Sequence, residues 1–209
     1  MSHQLDEQGL VTALEELSLL CPLAKKWWQK VGTPEPRIRE RGIKTLAQTI
    51  CGQQISVAAA RAIWLRIEAA CGEEVTAESL GALSYDELRA LGHSHRKAEY
   101  TQGLAKAMIE GELDLEGLPI LSDEDATKHL VALRGFGPWT AQIYLLFAEG
   151  RRDIWPADDL ALQEGLKTIF KLDERPTAKD TLPLIEHWRP YRGAGALLVW
   201  KVYGSTTLG

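Results

Sequence analysis

The stretch that decides the fold reads Leu133-Arg-Gly-Phe-Gly-Pro-Trp-Thr-Ala141. It lies between two segments whose apolar residues recur at helical spacing, residues 123–134 and 139–148. Glycine at positions 135 and 137 allows positive φ twice, and Pro138 is preset for the first position of the second helix. The stretch therefore predicts a tight hairpin between two helices, with bare backbone amides.

Bare amides at the positive end of a helix dipole favour an anion. Such a site suits a DNA phosphate, because it contacts the backbone without reading a base. A dinucleotide-binding G-x-G follows a buried strand, whereas here a helix with the capping pattern Ser122-x-x-Asp125 comes first. A plain corner between two helices that needs glycine for its turn stays open as the alternative.

The rest of the chain continues the helical pattern. A second capping pattern is Ser84-x-x-Glu87, and strand signals are almost absent. The fold class predicted is all-α, with about ten short helices. Boundaries between lobes are expected near residues 32–36 and 149–153, where Pro, Gly and charge interrupt the pattern. Further periodic segments are residues 10–20, 43–51, 57–71, 86–91, 96–109, 160–170 and 196–203.

Length and composition exclude several classes of protein. The chain has 209 residues, 45% hydrophobic and 25% charged, which disfavours disordered, collagenous and membrane-embedded proteins. No apolar stretch approaches the ~18 residues of a membrane span, so we expect a soluble, cytoplasmic protein without a membrane partner. The three cysteines, Cys21, Cys51 and Cys71, are too widely spaced for a disulfide framework or a zinc site.

The net charge of −5 argues against a nucleic acid partner, but the charges are unevenly distributed. Residues 24–44 carry seven basic and two acidic side chains, while residues 108–127 carry seven carboxylates and no base. This predicts a basic side and an acidic side. Two solvated helix faces would explain the same pattern.

Five segments of the chain, in this order, resemble the helix-hairpin-helix (HhH-GPD) DNA glycosylases. The likeness covers residues 40 to 203 and is greatest to the 3-methyladenine DNA glycosylase II branch. The segments are Gly52-Gln-Gln-Ile-Ser56; Arg96-Lys97-x-x-Tyr100; the hairpin with Gly135, Gly137 and Thr140; Trp155-Pro-Ala-Asp-Asp-Leu-Ala-Leu162; and Trp188-Arg-Pro-Tyr-Arg192 followed by Ala196-Leu-Leu-Val-Trp200.

The resemblance implies two helical lobes with a DNA-binding cleft between them. Residues 34–151 are expected to form the lobe with the hairpin, and residues 1–33 plus 152–209 the second lobe. The implied partner is double-stranded DNA containing alkylated bases, in base excision repair of chromosomal DNA. A monomer is expected, which flips out 3-methyladenine or 7-methylguanine and hydrolyses its bond to deoxyribose, leaving an abasic site.

Cleavage of an N-glycosidic bond places positive charge on the sugar, so a carboxylate beside it stabilises the transition state. Asp158 and Asp159 both precede a predicted helix, and either is equally suited to be its N-cap. The resemblance assigns the catalytic role to Asp159, which directly precedes an apolar-x-apolar helix start.

The residue at position 139 indicates which group attacks the sugar. Bifunctional relatives have a lysine at this position, which attacks the sugar, so tryptophan implies water as nucleophile and no lyase activity.

Trp139 and Trp200 match positions where the family stacks the cationic base, with Tyr144 and Trp155 as neighbours. Ile143 stands where the nearest relative carries tyrosine, which implies either a less aromatic pocket or compensation by Tyr144. Each tryptophan would fit equally well in the core.

The resemblance also implies DNA contacts outside the pocket. The loop residues Gln53, Gln54 and Ile55 match the family's minor-groove wedge, and Gln54 is at the position that fills the gap left by the flipped base. Ser56, which follows them, is expected to cap the next helix. A polar loop with Ile55 anchored in the core is the alternative. Further contacts to DNA are expected from Gly135, Gly137, Thr140, Arg96 and Lys97. Arg189, Arg192 and Lys201 form a second basic group without nearby acids, although Arg192 could equally serve as a C-terminal salt-bridge partner.

No cofactor is expected to be required. The cysteine cluster that holds iron–sulfur in many relatives is missing, so no iron–sulfur cluster is predicted. The resemblance implies a monovalent cation, Na⁺ or K⁺, at the hairpin on the main-chain carbonyls of Val131, Leu133 and Phe136.

Two other functions remain open. A noncatalytic helix-hairpin-helix DNA-binding module would explain the hairpin and the basic patch without Asp159 or the tryptophans. A glycosylase for another lesion, uracil or a mismatched base, would keep Asp159 but require specific hydrogen-bonding groups in its pocket.

Overall fold

A computed structural model describes residues 4–207, and helices form all of their regular secondary structure. The predicted all-α fold is confirmed. In order, the α-helices are α1 (Glu7–Leu20), α2 (Pro22–Val31), α3 (Ile43–Gly52), α4 (Val57–Cys71), α5 (Ala77–Ala82), α6 (Tyr85–Leu91), α7 (His95–Ile109), α8 (Asp123–Val131), α9 (Pro138–Phe147), α10 (Leu160–Phe170), α11 (Ala178–Ile185) and α12 (Arg192–Thr207); 3₁₀ helices cover Leu118–Ile120 and Glu186–Trp188.

Local capping explains where several helices begin. The predicted box at Ser84 is present, since its side chain accepts from Glu87 N and the Glu87 carboxylate accepts from Ser84 N. Ser122 caps α8 by accepting from Asp125 N, and its hydroxyl donates to the Asp125 carboxylate at 2.8 Å. Both predicted helix starts are therefore confirmed.

Three helices, α2, α5 and α11, lie outside the segments in which apolar residues recur at helical spacing. α2 begins at Pro22 and is capped by the Cys21 thiol rather than by an oxygen. α5 has only six residues, and α11 contains Pro183. α8 is shorter than predicted and ends at Val131 instead of continuing to residue 134.

The chain forms two compact units. The N/C unit comprises Met1–Ile38 and Leu145–Gly209, and the central unit comprises Arg39–Tyr144. These boundaries lie five to seven residues from the expected lobe boundaries, because α9 starts in the central unit and ends in the N/C unit.

In the N/C unit, α10 and α12 cross closely. A Cβ at Gly165 of α10 would lie 2.4 Å from the Val199 Cγ1 atom of α12, so only glycine allows this approach. The crossing fixes the start of α10 next to the middle of α12. In the central unit α7 packs against α3, α5 and α6. Within residues 4–207, every helix is too short or too polar to cross a membrane.

Candidate functional site

Asp159 lies at the N-cap of α10 in the N/C unit. Its Oδ1 atom accepts hydrogen bonds from Leu162 N at 3.0 Å and from Trp200 Nε1 at 3.1 Å. The N-cap interpretation is therefore confirmed as a structural fact. It does not compete with a chemical role, because the cap and the indole together hold the half-buried carboxylate in one orientation.

The loop before Asp159 is also fixed by hydrogen bonds. Asp159 N donates to Pro156 O at 3.0 Å, and Gln163 Nε2 donates to Ala157 O at 2.9 Å. Trp155 is buried, and its Nε1 donates to Thr181 Oγ1 at 3.1 Å. Trp155 thus anchors the loop from inside the unit.

Trp200 contacts protein groups over much of its ring. It is 8% exposed, with its centroid 5.6 Å from that of Phe147, and the Arg37 guanidinium lies 4.9 Å from its centroid. Little of the ring remains for the stacking on a base expected from the sequence. Its clear function in the structure is to donate a hydrogen bond to Asp159.

Arg37 is a charged neighbour of Asp159. In the sequence it is one of the seven basic residues of the segment 24–44. The residue is exposed overall, but its guanidinium covers the rings of Trp200 and Phe147. Desolvation lowers the pKa of Arg37, and the negative charge of Asp159 opposes that shift. The guanidinium stays charged and electrostatically coupled to Asp159.

The hairpin lies in the central unit, and its two glycines serve different purposes. Gly135 has φ +97°, and a Cβ there would lie 2.3 Å from the Tyr100 ring. Gly137 was predicted to need positive φ as well, which is wrong, since only Gly135 adopts it. A Cβ at Gly137 would meet nothing within 4 Å. Neither backbone strain nor packing explains glycine at 137, which leaves the surface open for a ligand.

The start of α9 is arranged as predicted. Gly137 O accepts from Ala141 N at 3.1 Å, so Gly137 is the N-cap and Pro138 the first helical residue. Gln53 Nε2 donates to Gly135 O at 3.1 Å and Thr140 Oγ1 at 3.4 Å. Thr140 is buried and its hydroxyl fastens the hairpin to the loop between α3 and α4.

That loop presents Gln54 to solvent in a strained conformation. Gln54 is exposed and has φ +56°, which is unusual for a residue with a side chain. Ile55 is 38% exposed, so the alternative that anchors it in the core is wrong. Ser56 caps α4 by accepting from Ala59 N at 3.2 Å. Strain at an exposed loop tip is typical of functional positions.

The basic residues at the start of α7 differ in surroundings. Arg96 is exposed, whereas half-buried Lys97 donates to Cys51 O at 2.8 Å in the last turn of α3. His93 is buried, and burial lowers its pKa to about 4 with the help of the Lys97 charge. His93 is therefore a neutral structural residue, while exposed His95 hydrogen-bonds Tyr85.

The proposed pocket residues of α9 lie at different depths. Trp139 is half-buried in the first turn. Ile143 is 5% exposed and Tyr144 fully buried, with its hydroxyl accepting from Gly42 N at 3.0 Å. The buried Tyr144 ring lacks an exposed face, so it does not offer the stacking surface expected of it.

Two further expectations concern main-chain oxygens and basic side chains. Of the three residues with predicted carbonyl ligands, Val131 is the last residue of α8, whereas Leu133 and Phe136 lie in the turn before α9, where Leu133 O accepts from Phe136 N at 3.1 Å. The prediction of a second basic group without nearby acids is wrong for Arg189 and Arg192, and the alternative that Arg192 is a salt-bridge partner is confirmed. Asp153 pairs with Arg189 at 3.1 Å and with Arg192 at 2.8 Å.

These arrangements match a known class of protein. The model of the HhH-GPD superfamily of base excision DNA repair proteins matches residues 47–190. The match covers well over half of the 209 residues, and the chain belongs to this superfamily.

Individual relatives include a DNA-3-methyladenine glycosylase of Schizosaccharomyces pombe, 29% identical over 94% of this chain and 90% of its own length. A Bacillus subtilis protein, named provisionally as a DNA-3-methyladenine glycosylase, is 36% identical over 75% of this chain, which spans only 57% of that relative. The structure of the S. pombe 3-methyladenine DNA glycosylase in complex with abasic DNA aligns with a TM-score of 0.81 and 31% identity, covering 91% of this chain and 95% of that one.

Proposed function

We propose that this chain is a monofunctional DNA glycosylase that flips out alkylated bases and hydrolyses their glycosidic bond, leaving an abasic site. The observation that carries the proposal is the Asp159 carboxylate, held by Leu162 N and Trp200 Nε1. Its relatives named for 3-methyladenine, and the one solved with abasic DNA, support the substrate class.

Asp159 acts by electrostatics. As the base departs, C1′ of the sugar becomes cationic, and a fixed carboxylate stabilises that charge and orients the attacking water. Two hydrogen bonds already hold Oδ1, so the carboxylate needs no reorganisation during the reaction. Bases alkylated at N3 or N7 are cationic leaving groups, which makes one carboxylate sufficient.

Water is the nucleophile in this proposal. Trp139 occupies the place where bifunctional relatives carry lysine, and an indole forms no Schiff base with the sugar. The half-buried Trp139 ring supplies the stacking surface for a cationic base. We assign the contact with the base to Trp139, and to Trp200 the hydrogen bond that orients Asp159.

DNA binding is assigned to the hairpin and the neighbouring loop. The open start of α9 at Gly137 binds a phosphate, and exposed Gln54 fills the space vacated by the flipped base. Arg96 adds a phosphate contact, whereas Gln53, Thr140 and Lys97 support these elements through the hydrogen bonds described above. We propose a monomer that acts on chromosomal DNA in the cytoplasm; the three free thiols suit a reducing compartment.

The carbonyl oxygens of Val131, Leu133 and Phe136 are assigned to a Na⁺ or K⁺ ion. Carbonyl oxygens suit these hard cations, and the three residues run from the end of α8 to the turn just before the start of α9. A bound cation would add positive charge there. Exchange of Na⁺ or K⁺ for tetramethylammonium at equal ionic strength should weaken binding to duplex DNA.

The test is release of free bases from a panel of duplexes, each with a single lesion. We expect release of 3-methyladenine and 7-methylguanine, and no covalent adduct after borohydride treatment. Release of uracil alone would contradict the substrate class, and a trapped adduct would contradict hydrolysis by water.

A further inference from the structure

A cavity in the N/C unit shares Arg37 with the Asp159 site and has no part in the chemistry proposed above. Its volume is about 240 Å³, and its lining residues are Pro34, Glu35, Pro36, Arg37, Leu197 and Lys201. Two of these side chains are cationic and one is acidic, so the lining carries a net positive charge. Such a cavity favours an anion.

Arg37 is held ready for such an anion. Its guanidinium lies over the aromatic rings of Trp200 and Phe147, which restrains the long side chain. Stacking occupies a face of the guanidinium and leaves its N–H edge available. Arg37 forms no hydrogen bond or ion pair with any residue between positions 4 and 207. Its planar set of donors therefore has capacity for two oxygens of one anion.

Lys201 provides the second cation. Its Nζ atom donates to Thr33 O at 2.9 Å, which holds the ammonium group against the segment that leads to Arg37. Two further N–H bonds of the ammonium remain for an anion. Pro34 and Pro36 restrict the backbone of this segment, which limits the positions that Arg37 can take beside the cavity.

We propose that Arg37 and Lys201 form a binding site for a phosphodiester group of DNA. A guanidinium fork matches two phosphate oxygens, and restraint before binding reduces the entropy lost on contact. The phosphate would neutralise the charge of Arg37. The Asp159 carboxylate would then stabilise the cationic sugar without a competing positive charge beside it. This inference rests on DNA being the substrate, as in the proposed function.

The site is tested by the salt dependence of binding. The dissociation constant for an abasic duplex is measured between about 50 and 200 mM salt, where each phosphate contact contributes about 0.9 to the log–log slope. Arg37→Gln and Lys201→Gln should each lower the slope by about one and weaken binding about fivefold to tenfold at the lowest salt. The matched control, Lys179→Gln on α11, removes the same charge from an exposed position and should leave the slope unchanged.

Two more variants separate charge from geometry. Arg37→Lys keeps the charge but loses the planar fork, so the slope should remain while affinity falls by a smaller factor. Glu35→Gln removes the acidic group of the cavity and should tighten binding. Thermal unfolding verifies that each variant is folded. If Arg37→Gln does not fold, the result for Lys201→Gln decides the test.

The outcomes distinguish this site from the proposed function. Wild-type slope and affinity in both glutamine variants would overturn the phosphate site. Loss of base release in Arg37→Gln with unchanged DNA binding would also overturn it, since Arg37 would then act only through Trp200 and Asp159. Binding that depends on Arg37, by a wild-type protein that releases no base, would uphold the site and refute the glycosylase.

Discussion

Two helix starts in this protein are completed in opposite ways. α9 begins after Gly137, which has no side chain to satisfy the first amides, whereas α10 begins after Asp159, whose Oδ1 accepts from Leu162 N. An open helix start can accept an anion from outside the protein, while a start filled by its own carboxylate holds that carboxylate in place. The same local field is therefore left open at the start of α9 and is occupied by the protein's own carboxylate at the start of α10.

The largest expected effect comes from the filled helix start. Asp159→Asn should lower base release about 10²-fold to 10³-fold, the usual loss when an aligned electrostatic group is removed. Asparagine is as good an N-cap as aspartate, so α10 and DNA binding should be retained. Exposed Asp158 is the control, and Asp158→Asn should release base at the wild-type rate. Comparable losses in both variants would mean that a general negative charge matters rather than this carboxylate.

The two hairpin glycines should differ in stability. Gly135→Ala combines positive φ with a clash against Tyr100 and should lower the free energy of unfolding by about 3 kcal/mol. Gly137→Ala places its methyl group in open space and should cost about 1 kcal/mol or less. Urea denaturation measures both. Equal losses would show that Gly137 also serves the fold, and the open helix start would lose its significance.

Acid should act on the central unit through His93. Because its folded pKa is about 4, below the ordinary value of 6.5, neutral His93 contributes stability in full above pH 6.5. That contribution, up to about 3 kcal/mol, is lost as the pH falls toward 4. The difference in unfolding free energy between wild type and His93→Gln should therefore shrink between pH 7 and pH 4. A difference that is independent of pH would contradict the burial of a neutral His93.

A smaller effect should follow from the hydrogen bond that orients Asp159. Trp200→Phe keeps an aromatic ring but removes the Nε1 donor, so kcat should fall about tenfold, with KM nearly unchanged. Trp64→Phe is the matched control and should keep the wild-type kcat, because buried Trp64 lies in the central unit and its Nε1 has no hydrogen-bond partner within residues 4–207. If KM rose while kcat stayed constant, Trp200 would be a wall of the base pocket, as the sequence suggested.

The smallest effect concerns the open helix start. Gly137→Ala should weaken binding to duplex DNA about threefold to tenfold, because its methyl group projects into the space that a phosphate would occupy. Fluorescence anisotropy with an undamaged duplex measures this loss. Unchanged affinity would show that the amides of α9 are not a phosphate site.

The hairpin and several helix starts were predictable because their signals are local, whereas the choice of Asp159 over Asp158 came from the resemblance. Gly135, Pro138 and the caps Ser56 and Ser84 act within a few residues of themselves, and the structure shows each in the expected place. The helices that were missed, such as α11 with its internal Pro183, depend on packing that overrides local preference.

The surroundings of the site were less predictable because they depend on distant segments. Trp200 and Asp159 are 41 residues apart, and only the close crossing at Gly165 brings the indole to the carboxylate. Nothing in the sequence near Arg37 indicates that its guanidinium lies over Trp200. Tyr144 matched a pocket position by spacing, but the fold uses its hydroxyl to bind Gly42.

The most direct test of this division between binding and chemistry is the single-turnover rate of 3-methyladenine release at saturating protein, with Asp159→Asn and Gly137→Ala measured side by side. Saturation removes differences in affinity, so we predict that Gly137→Ala recovers the wild-type rate while Asp159→Asn remains at least a hundredfold slower. Recovery of the wild-type rate by Asp159→Asn would contradict the assignment of the chemistry to that carboxylate.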